Sequence, residues 1–235
     1  MVSKTISQQI SNFEPGRVFT LEDLKISRTE IKAAVMALSR LIQRGIIERL
    51  SPGNYYKPKQ TKFGVIGPLL EDRFRDLLFD NGRPIGYFTG LYAFNLLGLT
   101  TQQPTLLEIG SNFPKRNTKR GIYAIRFVLQ RNPITMKNIE MLRVLDCLKW
   151  IKKIPDSNIE HSYEVLKSIV QGYSSKQQEQ LVLLALNYSP LTRALLGSMI
   201  TEEPLSTQIA ETLSPLTQFK IGLSSSQIAQ QWNIL

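Results

Sequence analysis

The sequence predicts an α+β fold laid out in three successive parts, and three observations predict it. Helical spacing of apolar residues in the N-terminal stretch gives way to a tight hairpin at "IERLSPGNYYKP", residues 47–58. Between residues 105 and 129, two runs rich in β-branched and aromatic residues read as strands. Beyond "IPDSN" at 154–158 the apolar period is helical, and serines stand where helices begin.

In the N-terminal part, "KTISQQISNF" carries Ile6, Ile10 and Phe13 at helical spacing, and Pro15-Gly16 ends that helix. Thr20, followed three residues later by Asp23, is a capping pattern that opens a brief second helix across "LEDLK". Ser27 and Glu30 repeat the device for a third helix, which runs to about Arg44 and stops at Gly45. In that helix Ile31, Ala34, Val35, Leu38, Leu41 and Ile42 form the packing face, and Thr29, Lys32, Met36, Ser39, Arg40 and Gln43 the free one. Ile46 to Leu50 then reads as a strand, Ser51-Pro52-Gly53-Asn54 reverses it, and Tyr55 to Pro58 returns. Three helices and a hairpin in this order predict a winged helix-turn-helix over residues 1–62, a module whose third helix enters the major groove while the hairpin rests on the backbone. The expected DNA contacts are Arg28, Thr29, Lys32, Ser39 and Arg40 on the helix and Arg49, Asn54, Tyr55, Lys57 and Lys59 around the hairpin, one tyrosine anchoring it while the other reaches out.

Residues 63–235 form the expected second domain, mixed α/β over 63–158 and mainly helical over 159–235. "LEDRFRDLLFDNG" reads as a helix closed by Asn81-Gly82, and "TGLYAFNLLGL" as a helix capped by Thr89. The strands "TLLEIGS" and "IYAIRFVL" follow, joined by the loop "NFPKRNTKRG". Lys115, Arg116, Lys119 and Arg120 in that loop are candidates for further phosphate contacts or for an acidic partner surface. Helices are expected across "SYEVLKSIVQGY", "SKQQEQLVLLALNY", "SPLTRALLGSMI", "TQIAETL" and "SSQIAQQWNIL", with "FKIG" as a short strand or connector.

"GYFTGLYAFNLLGLTTQQP", then strand, basic loop and strand, then "ITMKNIEMLRVLDCLKWIKKIPDSN" and "YSPLTRALLG" at 188–197, resemble the AbiEi-type antitoxins of type IV, abortive-infection toxin-antitoxin systems, in the branch with a winged-helix head. The resemblance implies a DNA-binding head that represses its own two-gene operon, and a C-terminal part that counteracts a nucleotidyltransferase-like toxin. The alternative is a stand-alone winged-helix transcription factor whose larger part senses a ligand or dimerises.

Charge supports the division. The net +10 splits into +6 over residues 1–62, +5 over 63–160 and −1 over 161–235, a basicity suited to phosphate contacts in the first two parts. One cysteine, Cys147, and one histidine, His161, provide neither a disulfide nor a set of zinc ligands, and Cys147 sits among Leu145, Leu148 and Ile151 as a core thiol. Asp72, Asp76 and Asp80 are spaced to stack on one helix face, but arginines interleave them and the stripe reads as solvated rather than metal-binding. No phosphate-cradling loop and no Gly-x-Ser-x-Gly turn occurs, so we expect a cofactor-free protein that is not an enzyme. Apolar runs such as "LVLLAL" are far shorter than the roughly 20 residues of a membrane span, which leads us to expect a cytoplasmic protein with no membrane partner.

Overall fold

The computed structural model of the protein describes residues 2–62, 64–223 and 232–235. The chain is α+β and divides into two compact units, Met1–Asp76 and Leu77–Leu235, so the first extends past the boundary expected at residue 62.

In the first unit, α1 (Val2–Ser11) buries Ile6 and Ile10, one turn apart on a single face. The chain then forms β1 (Val18–Phe19). The helix expected across "LEDLK" is instead a run of turns. Asp23 does fold back, accepting from the Thr20 amide at 2.7 Å and the Thr20 hydroxyl at 3.0 Å, but Lys25 adopts φ 48°, outside the helical region, and ends the segment there. A 3-10 turn (Arg28–Glu30) leads directly into α2 (Ile31–Gln43). Gly45, at φ 68°, stops α2 as expected: its amide bonds the Ile42 carbonyl and the Ile46 amide reaches back to Leu41 at 3.0 Å, satisfying carbonyls the helix end would leave open.

The strands β2 (Glu48–Ser51) and β3 (Asn54–Tyr56) form the expected hairpin, and β3 also pairs with β1, giving an antiparallel sheet in the order β1-β3-β2. A second hairpin, β4 (Lys59–Thr61) and β5 (Gly64–Ile66), and the single turn α3 (Leu70–Arg73) follow. The core of this unit joins Ile6, Ile10, Phe19, Leu24, Leu38 and Ile47. Burying each such side chain contributes about 1.5–3 kcal/mol.

The single helix expected across residues 70–82 is broken at Phe74, whose φ and ψ of −114° and 23° interrupt the hydrogen-bond ladder between α3 and α4 (Arg75–Leu78). A hairpin of β6 (Phe79–Asp80) and β7 (Arg83–Pro84) follows, turning at Asn81 and Gly82 with φ 47° and 77°, the positive pair that a two-residue hairpin turn requires. Asp80 therefore lies on a strand, off any helix face shared with Asp72 and Asp76.

The second unit centres on a four-stranded sheet made of β8 (Gly86–Thr89), β9 (Leu106–Ser111), β10 (Thr118–Arg120) and β11 (Tyr123–Leu129), in the order β10-β11-β9-β8. Thr89, expected as a helix cap, ends β8 instead, and α5 (Leu91–Leu96) begins after Gly90. The two expected strands β9 and β11 are parallel neighbours, and part of the basic loop between them is β10, antiparallel to β11 on the sheet edge. Helix α6 (Ile139–Lys149) is buried along most of its length, with Leu142, Leu145, Cys147 and Leu148 inaccessible to solvent. Burial pushes the Cys147 thiol well above its ordinary range.

The remaining helices follow the capping pattern. Asn158 caps α7 (Ile159–Gln171), Ser174 and Gln177 form a reciprocal capping box on α8 (Ser175–Ala185), and Ser189 with Pro190 opens α9 (Pro190–Gly197). The last helix among the described residues, α10 (Glu203–Ala210), starts earlier than the expected "TQIAETL". The helix expected across "SSQIAQQWNIL" falls mostly on residues 224–231, outside the described residues. The chain end returns to the "FKIG" segment, where Phe219 bridges Ile234 in parallel.

Candidate nucleic-acid interface

Alanines set which face of α2 is covered. Ala34, Ala37, Leu38 and Leu41 are buried, and the small side chains of Ala34 and Ala37 let the helix pack closely against the rest of the core of Ile6 and Ile10. The burial is rotated relative to the sequence expectation: Ile31 and Val35, expected to pack, are 42% and 45% exposed, and Met36 is 60% exposed. The open face of α2 thus carries Lys32, Ser39 and Arg40, as expected, and three apolar side chains between them. Glu30, just before the helix, has its carboxylate bound by the Ser27 hydroxyl at 2.6 Å. Thr29 is exposed and shares a 3.0 Å hydroxyl contact with Ser27; the Arg28 side chain lies outside what the structure describes.

The hairpin tip at Ser51, Pro52 and Gly53 is exposed, with Gly53 at φ 82° and the Asn54 amide nitrogen donating to the Ser51 hydroxyl at 2.9 Å to close the turn. Arg49 on β2 and Lys59 on β4 are exposed. Both tyrosines turn inward, correcting the expectation that one reaches out. Tyr55 is buried against Phe19, their ring centroids 6.0 Å apart, and Tyr56 donates its hydroxyl to the Glu48 carboxylate. Burial, with the Glu48 hydrogen bond and charge, pushes the Tyr56 phenol up to about 12. Lys57 also departs from its expected role. Its ammonium donates to the carbonyls of Ser11 at 2.9 Å and Phe13 at 3.2 Å, so it closes the C-terminus of α1, where a cation meets both unsatisfied carbonyls and the negative end of the helix dipole.

In the second unit, Lys115, Arg116, Lys119 and Arg120 are all exposed, the last two on the edge strand β10. Lys115 lies 5.4 Å above the Phe127 ring. Phe113 and Ile122, at 74% and 75% exposure, flank this cationic stretch and were not singled out from the sequence.

A buried constellation that sequence reasoning missed lies between β8, β11 and α6. Asp146, on the otherwise apolar face of α6, accepts from Thr89 Oγ1 at 2.6 Å, Tyr87 Oη at 2.7 Å and Tyr188 Oη at 2.9 Å. Gln130 Nε2 donates to both tyrosine hydroxyls, at 2.7 and 2.9 Å. Burial raises the Asp146 carboxyl above the usual carboxylate range, against the opposing effect of the three hydroxyls and Lys149, and burial followed by the Asp146 charge raises both phenols. Gly110 makes room for this arrangement, since a Cβ there would stand 2.6 Å from Tyr87 Cε1. A cavity of about 510 Å³ opens on the cluster, with Arg131, Lys149 and Asn187 on its border. The available signal was a lone aspartate inside "LRVLDCLKW", a carboxylate at a position whose neighbours are all core.

The geometry defines a protein of two units, one presenting an exposed cationic helix beside a hairpin and the other enclosing a hydroxyl-bound carboxylate. The chain belongs to a family of unknown function, DUF6088, whose model matches residues 5–181. Its fold is similar to that of the RV2827C protein from Mycobacterium tuberculosis, seen in a crystal structure, with a TM-score of 0.58 over 99% of this chain and 90% of that one; at 13% identity the likeness concerns fold alone. No curated protein matches the sequence. Among the described residues no helix is long and apolar enough to cross a membrane.

Proposed function

We propose that the first unit is a winged helix-turn-helix that binds double-stranded operator DNA, and that the protein is an antitoxin and transcriptional autorepressor whose second unit counteracts a nucleotidyltransferase-like toxin. The observation that carries the DNA-binding half is the open face of α2, with Lys32, Ser39 and Arg40 exposed, on a helix followed directly by a hairpin whose tip and Arg49 are also exposed. The sheet order β1-β3-β2 and the hairpin following α2 support the wing, with turns at residues 21–25 where the second helix was expected. Lys57, Tyr55 and Asn54 hold the hairpin in shape, which leaves the phosphate and base contacts to Lys32, Arg40, Arg49 and Lys59. Lys115, Arg116, Lys119 and Arg120 supply a further cationic surface for phosphates or for the partner.

Anisotropy titrations of the full chain against the DNA upstream of its own gene, across a salt series, test this half. Lys32→Ala and Arg40→Ala each reduce the slope of log affinity against log salt by about 1. Slopes equal to wild type in both variants would remove the interface. The antitoxin half is supported by the sequence resemblance and is tested by co-expression with an adjacent nucleotidyltransferase-like gene, where growth rescue and then co-purification are scored. A second reading, a stand-alone regulator that senses a small molecule, is favoured by the cavity beside Tyr87, Asp146 and Tyr188. Absence of any toxin gene whose growth arrest this protein relieves would favour it.

A further inference from the structure

The open face of α2 has a composition that phosphate binding does not explain. Ile31 and Val35 lie one turn apart, Lys32 and Met36 form the adjacent row, and Ser39 and Arg40 continue them. Ile31, Val35 and Met36 stay 42%, 45% and 60% exposed on a helix whose other face supplies the core, and that open apolar surface is not accounted for by packing within the unit. An apolar protein partner would have to bury Lys32 among them, at the cost of desolvating its charge. The stretch Ile31–Gln43 contains no acidic residue, so the face complements a polyanion.

Resting on the DNA-binding reading above, we infer that Ile31, Val35 and Met36 read thymine methyl groups, so that the protein prefers A·T-rich sites through contacts that depend on the C5 methyl. On the major-groove edge of a base pair the thymine methyl is the apolar group, and the remaining positions are hydrogen-bond donors and acceptors. A helix that enters the groove by its N-terminal half presents its first two turns to the base edges. In α2 those turns carry Ile31, Val35 and Met36 outward, while the groups able to make paired hydrogen bonds to a base, Arg40 and Gln43, come later. Lys32 then meets phosphate beside the apolar row, and the specificity rests on shape and methyl burial.

The test compares the full chain on two duplexes of equal length, one of alternating A·T pairs and one with deoxyuridine replacing every thymidine, which deletes the methyl and leaves every hydrogen-bonding group in place. Each methyl buried against these side chains raises affinity about fourfold, so the thymine duplex binds tenfold or more tightly once two are engaged. Val35→Asn and Met36→Gln, which put polar groups in place of apolar ones at exposed positions, bring the two duplexes toward equal affinity. Salt-dependent binding of both duplexes with equal affinity by the wild-type chain overturns the inference and leaves the DNA-binding reading standing. Binding to neither duplex nor to the upstream DNA overturns both. A self-associating chain that Met36→Gln converts to monomer, with no difference between the duplexes, overturns the inference in favour of a contact between copies.

Discussion

Replacing Asp146 by asparagine removes a proton-binding group from the interior while nearly preserving its shape. Burial holds the Asp146 carboxyl above its ordinary range, so the native state keeps this proton to higher pH than the unfolded chain does. The stability it contributes is therefore complete below the unfolded value of about 3.9 and is lost as pH rises through the folded value. Within that window the loss is at most about 1.4 kcal/mol per pH unit, the free energy of one proton. Urea unfolding followed by tryptophan fluorescence measures it, because Trp150 and Trp232 both belong to the second unit and the signal reports that unit. Above about pH 4 the stability of wild type relative to Asp146→Asn falls with rising pH, at up to that slope, until the folded carboxyl has ionised. Parallel profiles, with a constant difference between the two proteins, would refute the reasoning and would mean that Thr89, Tyr87 and Tyr188 keep the carboxylate ionised against its burial.

Three further outcomes follow from the geometry. Lys57→Met loses both bonds to the end of α1 and destabilises the first unit by about 1 kcal/mol in thermal unfolding followed by circular dichroism, while the salt slope in titrations of the proposed DNA interface stays at its wild-type value. Gly110→Ala drives a Cβ into the Tyr87 ring and costs about 2 kcal/mol, read from urea unfolding by tryptophan fluorescence. The neutral Tyr56 phenol stabilises the fold below its unfolded value of about 10, and this stability is lost as pH rises toward about 12; alkaline unfolding of Tyr56→Phe lacks that step.

Local chemistry was legible wherever one residue type decides a local conformation. Ser189 with Pro190 and Gly45 each fix a helix end through their own backbone or hydroxyl where the sequence puts them, and the cap of α8, which the sequence leaves open between Ser174 and Ser175, is Ser174. The hairpin at residues 51–54 was legible for the same reason. Asn81-Gly82 carries an equally strong hairpin signal, yet the helical apolar period before it masked strands only two residues long. β8 escaped because Gly86, Tyr87, Phe88 and Thr89 are all buried, so the alternation that reveals a half-exposed strand is absent. Parallel pairing of β9 with β11 depends on tertiary packing, and nothing in either strand encodes its neighbour. For the candidate interface, Lys32, Ser39, Arg40 and Arg49 lie open as expected, whereas the fate of Lys57 depends on where the end of α1 lies, and that of Val35 on two alanines two positions away or less. The cluster around Asp146 brings together residues 87 to 188, a separation across which sequence spacing carries no information.

The residue that leaves the β2-β3 hairpin is fastened twice to the segment behind α1: the Lys57 ammonium holds the carbonyls of Ser11 and Phe13, and its own carbonyl receives the Gly16 amide at 2.7 Å. The base of the finger is thus tied down when the chain folds, and the entropy of ordering it is lost at that stage. Under the proposed DNA-binding role, the base of the finger is already ordered before DNA arrives, so ordering that base subtracts nothing from affinity.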